Sequence, residues 1–262
     1  MRFLLSLCFV MGISTLNASP RNTHKKATDK LPLKLWYNTP ARYFEEALPI
    51  GNGKMGAMVY SGGETDSLQL NDITLWSGKP VNHEDDKEAH KWLPKIREAL
   101  FREDYAAADS LQLHIQGHNS SYYMPLGTLY IEDLNAHHPM TNYHRELSID
   151  SAICRVSYHR GDNMLTREYI ASHPDKCIAI HITSQKRGQL FLSVRLQSLL
   201  SHTVKASNNQ LTMLGHATGD PKETIHFCTI ARATSPDGQI SISNGNLVIE
   251  KATEATLYIV NE

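Results

Sequence analysis

ICRVSYHRGDNMLTREYIASHPDKCIAIHIT, residues 153–183, decides the fold class. Residues 153–159, 164–171 and 177–183 are short apolar runs rich in β-branched and aromatic side chains. Gly161-Asp162-Asn163 between the first two reads as a hairpin turn. Downstream the series continues through 190–196, 210–214, 225–233, 239–243, 247–250 and 256–260. Lys186-Arg187-Gly188, Ser207-Asn208-Asn209, Pro236-Asp237-Gly238 and Asn244-Gly245 punctuate it. Upstream, 33–37, 57–60, 67–70, 73–75 and 128–132 read the same way, with Gly62-Gly63 as a turn. Many short, evenly spaced strands indicate a sandwich or barrel. A parallel sheet would need helices between strands, and none is expected after residue 115.

Residues 85–115 differ. Ala89, Trp92, Leu93, Ile96, Ala99 and Leu100 recur at three and four, which places them on one helical face. Pro94 kinks this helix or opens a new one, and a second helix follows over 105–114. The stripe is expected to pack on the β structure, with a partner-binding groove as the other reading.

At 262 residues, with 41% hydrophobic and 20% charged, the composition is that of a globular chain of one large or two small domains. The net charge is −1, without the basic excess of a nucleic-acid binder. Met1-Arg2, the apolar run 3–13 and the small residues up to Ala18 form a secretory signal pattern over residues 1–18, a buried N-terminal helix being the alternative. Polar residues 19–32 are expected to be a flexible lead-in. The mature protein is then expected to be exported, periplasmic or extracellular, with no membrane span after signal cleavage. Cys154, Cys177 and Cys228 remain, each inside a strand-like run, and read as buried free thiols rather than a disulfide.

Motifs for chemistry are sparse. Gly51-Asn52-Gly53-Lys54-Met55-Gly56 fits GxGxxG, but Pro49 precedes it and a strand-like run follows, so it reads as a tight glycine loop, not a nucleotide site. His137, His138 and His144 fall in a proline-containing stretch and read as solvated; no metal site and no cofactor are expected. Neither GxSxG nor HExxH occurs, and no carboxylate pair stands out among Glu45, Glu46, Asp72, Asp85 and Asp86. The informative stretches mix aromatics with amides and glycine: Leu35-Trp36-Tyr37, residues 47–53, residues 70–78 and residues 121–127. Such mixtures suit sugars, since aromatic faces cover C–H surfaces and amides bond hydroxyls. They also suit core aromatics at strand ends.

Five blocks together resemble the N-terminal domain of glycoside hydrolase family 95: LPIGNGKMGAMVYSG, LQLNDITLWSG, LPKIREALFREDYAAA, YMPLGTLYIE, and YHRELSIDSAICRVSYHRGDNMLTREYIASHPDKCIAIHI. They occur in the family's order across residues 33–260. The family contains inverting α-L-fucosidases and some α-L-galactosidases. The resemblance implies a mostly β fold, a large β-supersandwich over residues 33–262, with the short helical pair inserted near residues 85–115. It implies an N-terminal, non-catalytic domain, truncated before the helical (α/α)6 barrel in which the family's catalytic groups reside. No catalytic residue is therefore carried over, and this chain alone is expected to be inactive. The partners implied are carbohydrate, namely fucosylated glycans, and the catalytic barrel. Asn71, Asp72, Trp76 and Tyr123, with the Pro125-Leu126-Gly127 turn, are the expected sugar-facing residues. The family commonly has Glu at the position of Asp72, a side chain one methylene longer. A free-standing carbohydrate-binding β-sandwich module is the alternative.

Overall fold

The computed structural model describes residues 32–79, 87–116 and 121–262. The expected signal peptide and nearly all of the expected lead-in lie outside them. In chain order the described elements are β1 (Lys34–Tyr37), β2 (Leu48–Gly51), β3 (Met55–Val59), β4 (Thr65–Asp72), α1 (Leu93–Phe101), α2 (Tyr105–Gln112), β5 (Gly127–Asp133), β6 (Met140–Ser148), β7 (Ile153–Arg160) and β8 (Asn163–Ser172). They continue with β9 (Cys177–Ser184), β10 (Leu190–Gln197), β11 (Ser201–Ser207), β12 (Gln210–His216), β13 (His226–Thr234), β14 (Gln239–Ser243), β15 (Asn246–Ala252) and β16 (Glu254–Asn261).

Two sheets form a sandwich. One runs β1-β6-β7-β8-β9-β16-β13-β12-β11, the other β14-β15-β10-β5-β4-β3-β2. Neighbours pair antiparallel, as in β7 with β8, where Cys154 faces Tyr169 and Arg160 faces Asn163. Gly161, at φ +58°, sits in that tight turn, and Asn244-Gly245, both at positive φ, turns β14 into β15. β16, last in sequence, lies between β9 and β13.

Strict alternation builds the core. Ile178, Ile180 and Ile182 of β9 point inward, and Leu129 and Ile131 of β5 and Leu192 and Val194 of β10 join the same apolar cluster. Full burial of each contributes about 1.5–3 kcal/mol. A one-residue slip would turn the whole set to water, so the register is fixed.

Charge enters the core at one end. Asp66 and Arg167 are buried 3.4 Å apart. Tyr169 donates its hydroxyl hydrogen bond to Asp66. Arg167 donates to the Gly62 carbonyl at 2.8 Å and to the Tyr158 hydroxyl at 3.1 Å. Arg145, equally buried, donates to the carbonyls of Thr39 and Glu46 and stacks over the Tyr37 ring at 4.2 Å.

Several local expectations differ from the structure. Residues 48–51 form a strand despite Pro49, because β2 is a sheet edge, where a missing N–H costs no ladder bond. Residues 73–75 turn instead of extending. His144 lies in strand β6, not in a loop. Cys154 is buried and free, whereas Cys177 and Cys228 are free but only partly buried. Pro94 sits in the first turn of α1, which it opens. Ile96 and Ala99 of the expected helical stripe are buried, whereas Leu93 and Leu100 are exposed.

Candidate functional site

The alternation of β4 sorts the candidate residues. Asp66, Leu68, Leu70 and Asp72 face the core; Gln69 and Asn71 face out. On β3, Gly56 and Met58 share that outer face, and on β2 Pro49 does. Together with Phe44, Tyr123 and Pro125 they line a groove of about 400 Å³ over β2, β3 and β4.

The groove's far wall is built by two loops. After β4, Asp72 makes a tight turn: its Oδ1 accepts from the Thr74 amide at 2.9 Å and hydroxyl at 2.6 Å. The Trp76 indole N–H then donates to the Ile73 carbonyl at 2.9 Å. Trp76 and Tyr123 form an isolated antiparallel bridge, flanked by Ser77 N to Tyr122 O at 2.9 Å and Met124 N to Leu75 O at 3.1 Å. Their rings meet edge to face, centroids 5.6 Å apart at 77°. Both remain 42% exposed. Burial, and then the nearby Asp72 carboxylate, push the Tyr123 phenol above its usual pKa. At Gly127, which follows, a Cβ would come within 2.6 Å of the Gln197 carbonyl oxygen.

The four candidates therefore occupy different places. Asn71 and Tyr123 line the groove, and among the described residues the Asn71 amide has no hydrogen-bond partner. Trp76 lies behind Tyr123. Asp72 is buried on the other side of β4, where Asn261 Nδ2 donates to its Oδ2 at 2.8 Å. Residues 51–56 serve structure: Asn52 Oδ1 accepts from the amides of Lys54 and Met55, and its Nδ2 reaches Ser172 O at 3.0 Å. Gly53, at φ +91°, makes the turn.

Phe44 and Met58 were not among the sequence candidates, whereas Pro49 lies in the informative stretch 47–53. Apolar residues on an outward face look like core in sequence, and Phe44 arrives from a short 3-10 turn without periodicity. None of the groove's lining residues is a carboxylate or a histidine. The lining can bind an amphipathic surface, yet it has no acid or base of its own. Among the described residues no group of three or more His, Cys, Asp or Glu is placed to hold a metal.

The opposite end of the sandwich carries a second, polar cavity of about 350 Å³, which His137 and His138 help to line.

Residues 35–262 match the family described as "Glycosyl hydrolase family 65, N-terminal domain". The chain is 30% identical over 286 residues to Alpha-L-fucosidase 2 of Arabidopsis thaliana, covering 98% of this chain and 34% of that protein. It is 22% identical to Probable alpha-fucosidase A of Aspergillus oryzae, covering 86% of this chain and 32% of the relative. The chain thus spans about a third of the length of these relatives. Among solved structures, a putative kojibiose phosphorylase from human microbiome aligns with 89% of this chain and 34% of its own, at 9% identity and a TM-score of 0.43.

Proposed function

The chain belongs to the family of glycosyl hydrolase family 65 N-terminal domains, and from that premise we propose that it is the non-catalytic N-terminal domain of an exported α-L-fucosidase-like hydrolase acting on fucosylated glycans. Its task is to dock on a helical catalytic barrel and to form one wall of the sugar pocket. The observation that carries this reading is the β2–β3–β4 groove: Tyr123 and Phe44 offer aromatic surface, Asn71 offers an unengaged amide, and no carboxylate lines it. Aromatic faces and amides are what a pyranose needs. Hydrolysis with inversion needs an acid and a base on opposite sides of the sugar, which the rest of such an enzyme would supply.

Docking is favoured over a free-standing sugar-binding module by the helical pair. Leu100, Phe101, Tyr105 and Leu113 are exposed, Phe101 at 87%. Apolar side chains concentrated this way mark a contact surface. Export is supported by the apolar run 3–13 behind Arg2.

The test is direct. The purified full chain is assayed on a chromogenic aryl α-L-fucoside beside a full-length relative. No turnover above the uncatalysed rate is expected. Fucose binding is expected to be weak, roughly millimolar, because a one-walled pocket leaves the ligand largely in water. Tyr123→Ala should abolish that binding. Turnover that follows the purified protein and is lost on mutating one of its own carboxylates would overturn the proposal.

A further inference from the structure

The polar cavity lies at the end of the sandwich away from the groove. β4 pairs Leu70 with Gly127, beside Tyr123, and Thr65 with Glu132, beside Asp133. Three loops enclose it: residues 133–138 after β5, the β7–β8 turn, and the β9–β10 turn. Hydrogen bonds lace them together. Asn163 Oδ1 accepts from Lys186 N at 3.0 Å and Ser184 Oγ at 3.1 Å, and Asp133 Oδ1 accepts from Asn135 N at 3.0 Å. The cavity is therefore held in shape before any ligand arrives.

Arg160 closes its floor. The Arg160 side chain is only 6% exposed. Its Nε donates to Asp133 Oδ2 at 2.9 Å and Nη1 to the His138 carbonyl at 2.7 Å, while Nη2 is buried without a partner. Around it, the side chains of Asn135, Gln189, His137 and His138 make no hydrogen bond among the described residues.

Charge selects the class of ligand. Arg160 is balanced by Asp133, and Lys186 by Asp162, so these four groups carry no net charge into the cavity. An anion would meet two carboxylates, and a cation would meet a guanidinium and an ammonium. An uncharged ligand that both donates and accepts meets a partner on each side, and Leu165 offers an apolar patch. The volume is of the order of known small-molecule sites and holds one monosaccharide unit.

We propose that this cavity is a second carbohydrate site, taking one neutral pyranose unit through Asn135, Gln189 and the two imidazoles over the Arg160–Asp133 pair. It is separate from the groove and holds whether or not the groove contacts sugar; only the choice of probes rests on the proposed function. The full chain is titrated with methyl α-L-fucoside, methyl β-D-galactoside and methyl α-D-glucoside, while the ring-proton resonances of His137 and His138 are followed by NMR. At least one glycoside is expected to shift both imidazoles at millimolar concentration. Asn135→Ala with Gln189→Ala removes side chains without structural bonds and should weaken binding roughly tenfold, the effect of losing two neutral hydrogen bonds. Tyr123→Ala should leave these shifts unchanged. The proposal is overturned if no glycoside moves either imidazole, if binding persists in the double variant, if only Tyr123→Ala removes it, or if sulfate moves the imidazoles and the glycosides do not.

Discussion

Strand β4 carries an aspartate at each end of its inward face, and the two have opposite surroundings. Asp66 is met by Arg167 and Tyr169 of the facing sheet and by the Gly62 amide at 3.1 Å, so its partners include a charge. Asp72 is met by Thr74, two residues on, and by Asn261 of β16, so its partners are neutral. One end is a buried ion pair, the other a set of neutral hydrogen bonds, local to Thr74 and across the sandwich to Asn261. The difference teaches that the same residue at the two ends of one strand can tie two sheets together through charge or through neutral hydrogen bonds. Here the loop-shaping aspartate stands beside the groove.

The sharpest way to break this contrast is to remove Asp66. Asp66→Ala leaves the Arg167 charge buried without its counter-ion, and urea unfolding should show a loss of about 3–5 kcal/mol. Asp72→Ala strands only neutral donors and should cost about 1–3 kcal/mol in the same measurement. Equal costs would mean that the two ends are energetically alike. Trp76→Ala at the groove end should cost less than the roughly 3–5 kcal/mol of a core aromatic, since the ring is part exposed. In a full-length relative the corresponding change should lower sugar affinity or turnover more than stability. Normal kinetics with collapsed thermal unfolding would instead make Trp76 a core residue.

Protonation sharpens the comparison further. Burial raises the Asp66 carboxyl above its usual value, against the opposing pull of Arg167 and Tyr169. A raised folded-state pKa adds stability that is complete below the unfolded value near 3.8 and lost as pH rises through the folded value. Wild type should therefore gain on Asp66→Asn as pH falls from neutrality, read from paired unfolding curves. The smallest effect concerns Cys154, whose thiol burial pushes up to about 12. Peptide mapping after treatment with a thiol reagent at neutral pH should find Cys154 unlabelled in the native protein and labelled after unfolding.

What was legible in the sequence was what short-range chemistry decides. Gly161-Asp162-Asn163 and Asn244-Gly245 announce their turns because few residues tolerate those backbone angles, and both hairpins are there. β6 and β11 were not legible. MTNYHRELS and SHTVKAS lack a clean apolar alternation, and β11 is an edge strand with little to bury. At the candidate site, Asn71, Trp76 and Tyr123 could be picked out for their chemistry. That Trp76 and Tyr123 pair across a bridge, and that Asp72 faces away from both, depends on register and on loops meeting from distant parts of the chain. The polar cavity was still less visible, since His138, Arg160 and Lys186 gather only when three separate turns converge.

The place of β16 has a consequence for synthesis. A ribosome releases residues 254–261 after both of their neighbours in the sheet. Until then any pairing of the preceding strands leaves β9 and β13 each without the neighbour that lies between them, a row of unpaired amides and carbonyls on both. At about 5–20 residues per second, the interval between β9 and β16 lasts several seconds. A translation product stopped short of Glu254 is therefore expected to aggregate where one carrying β16 folds.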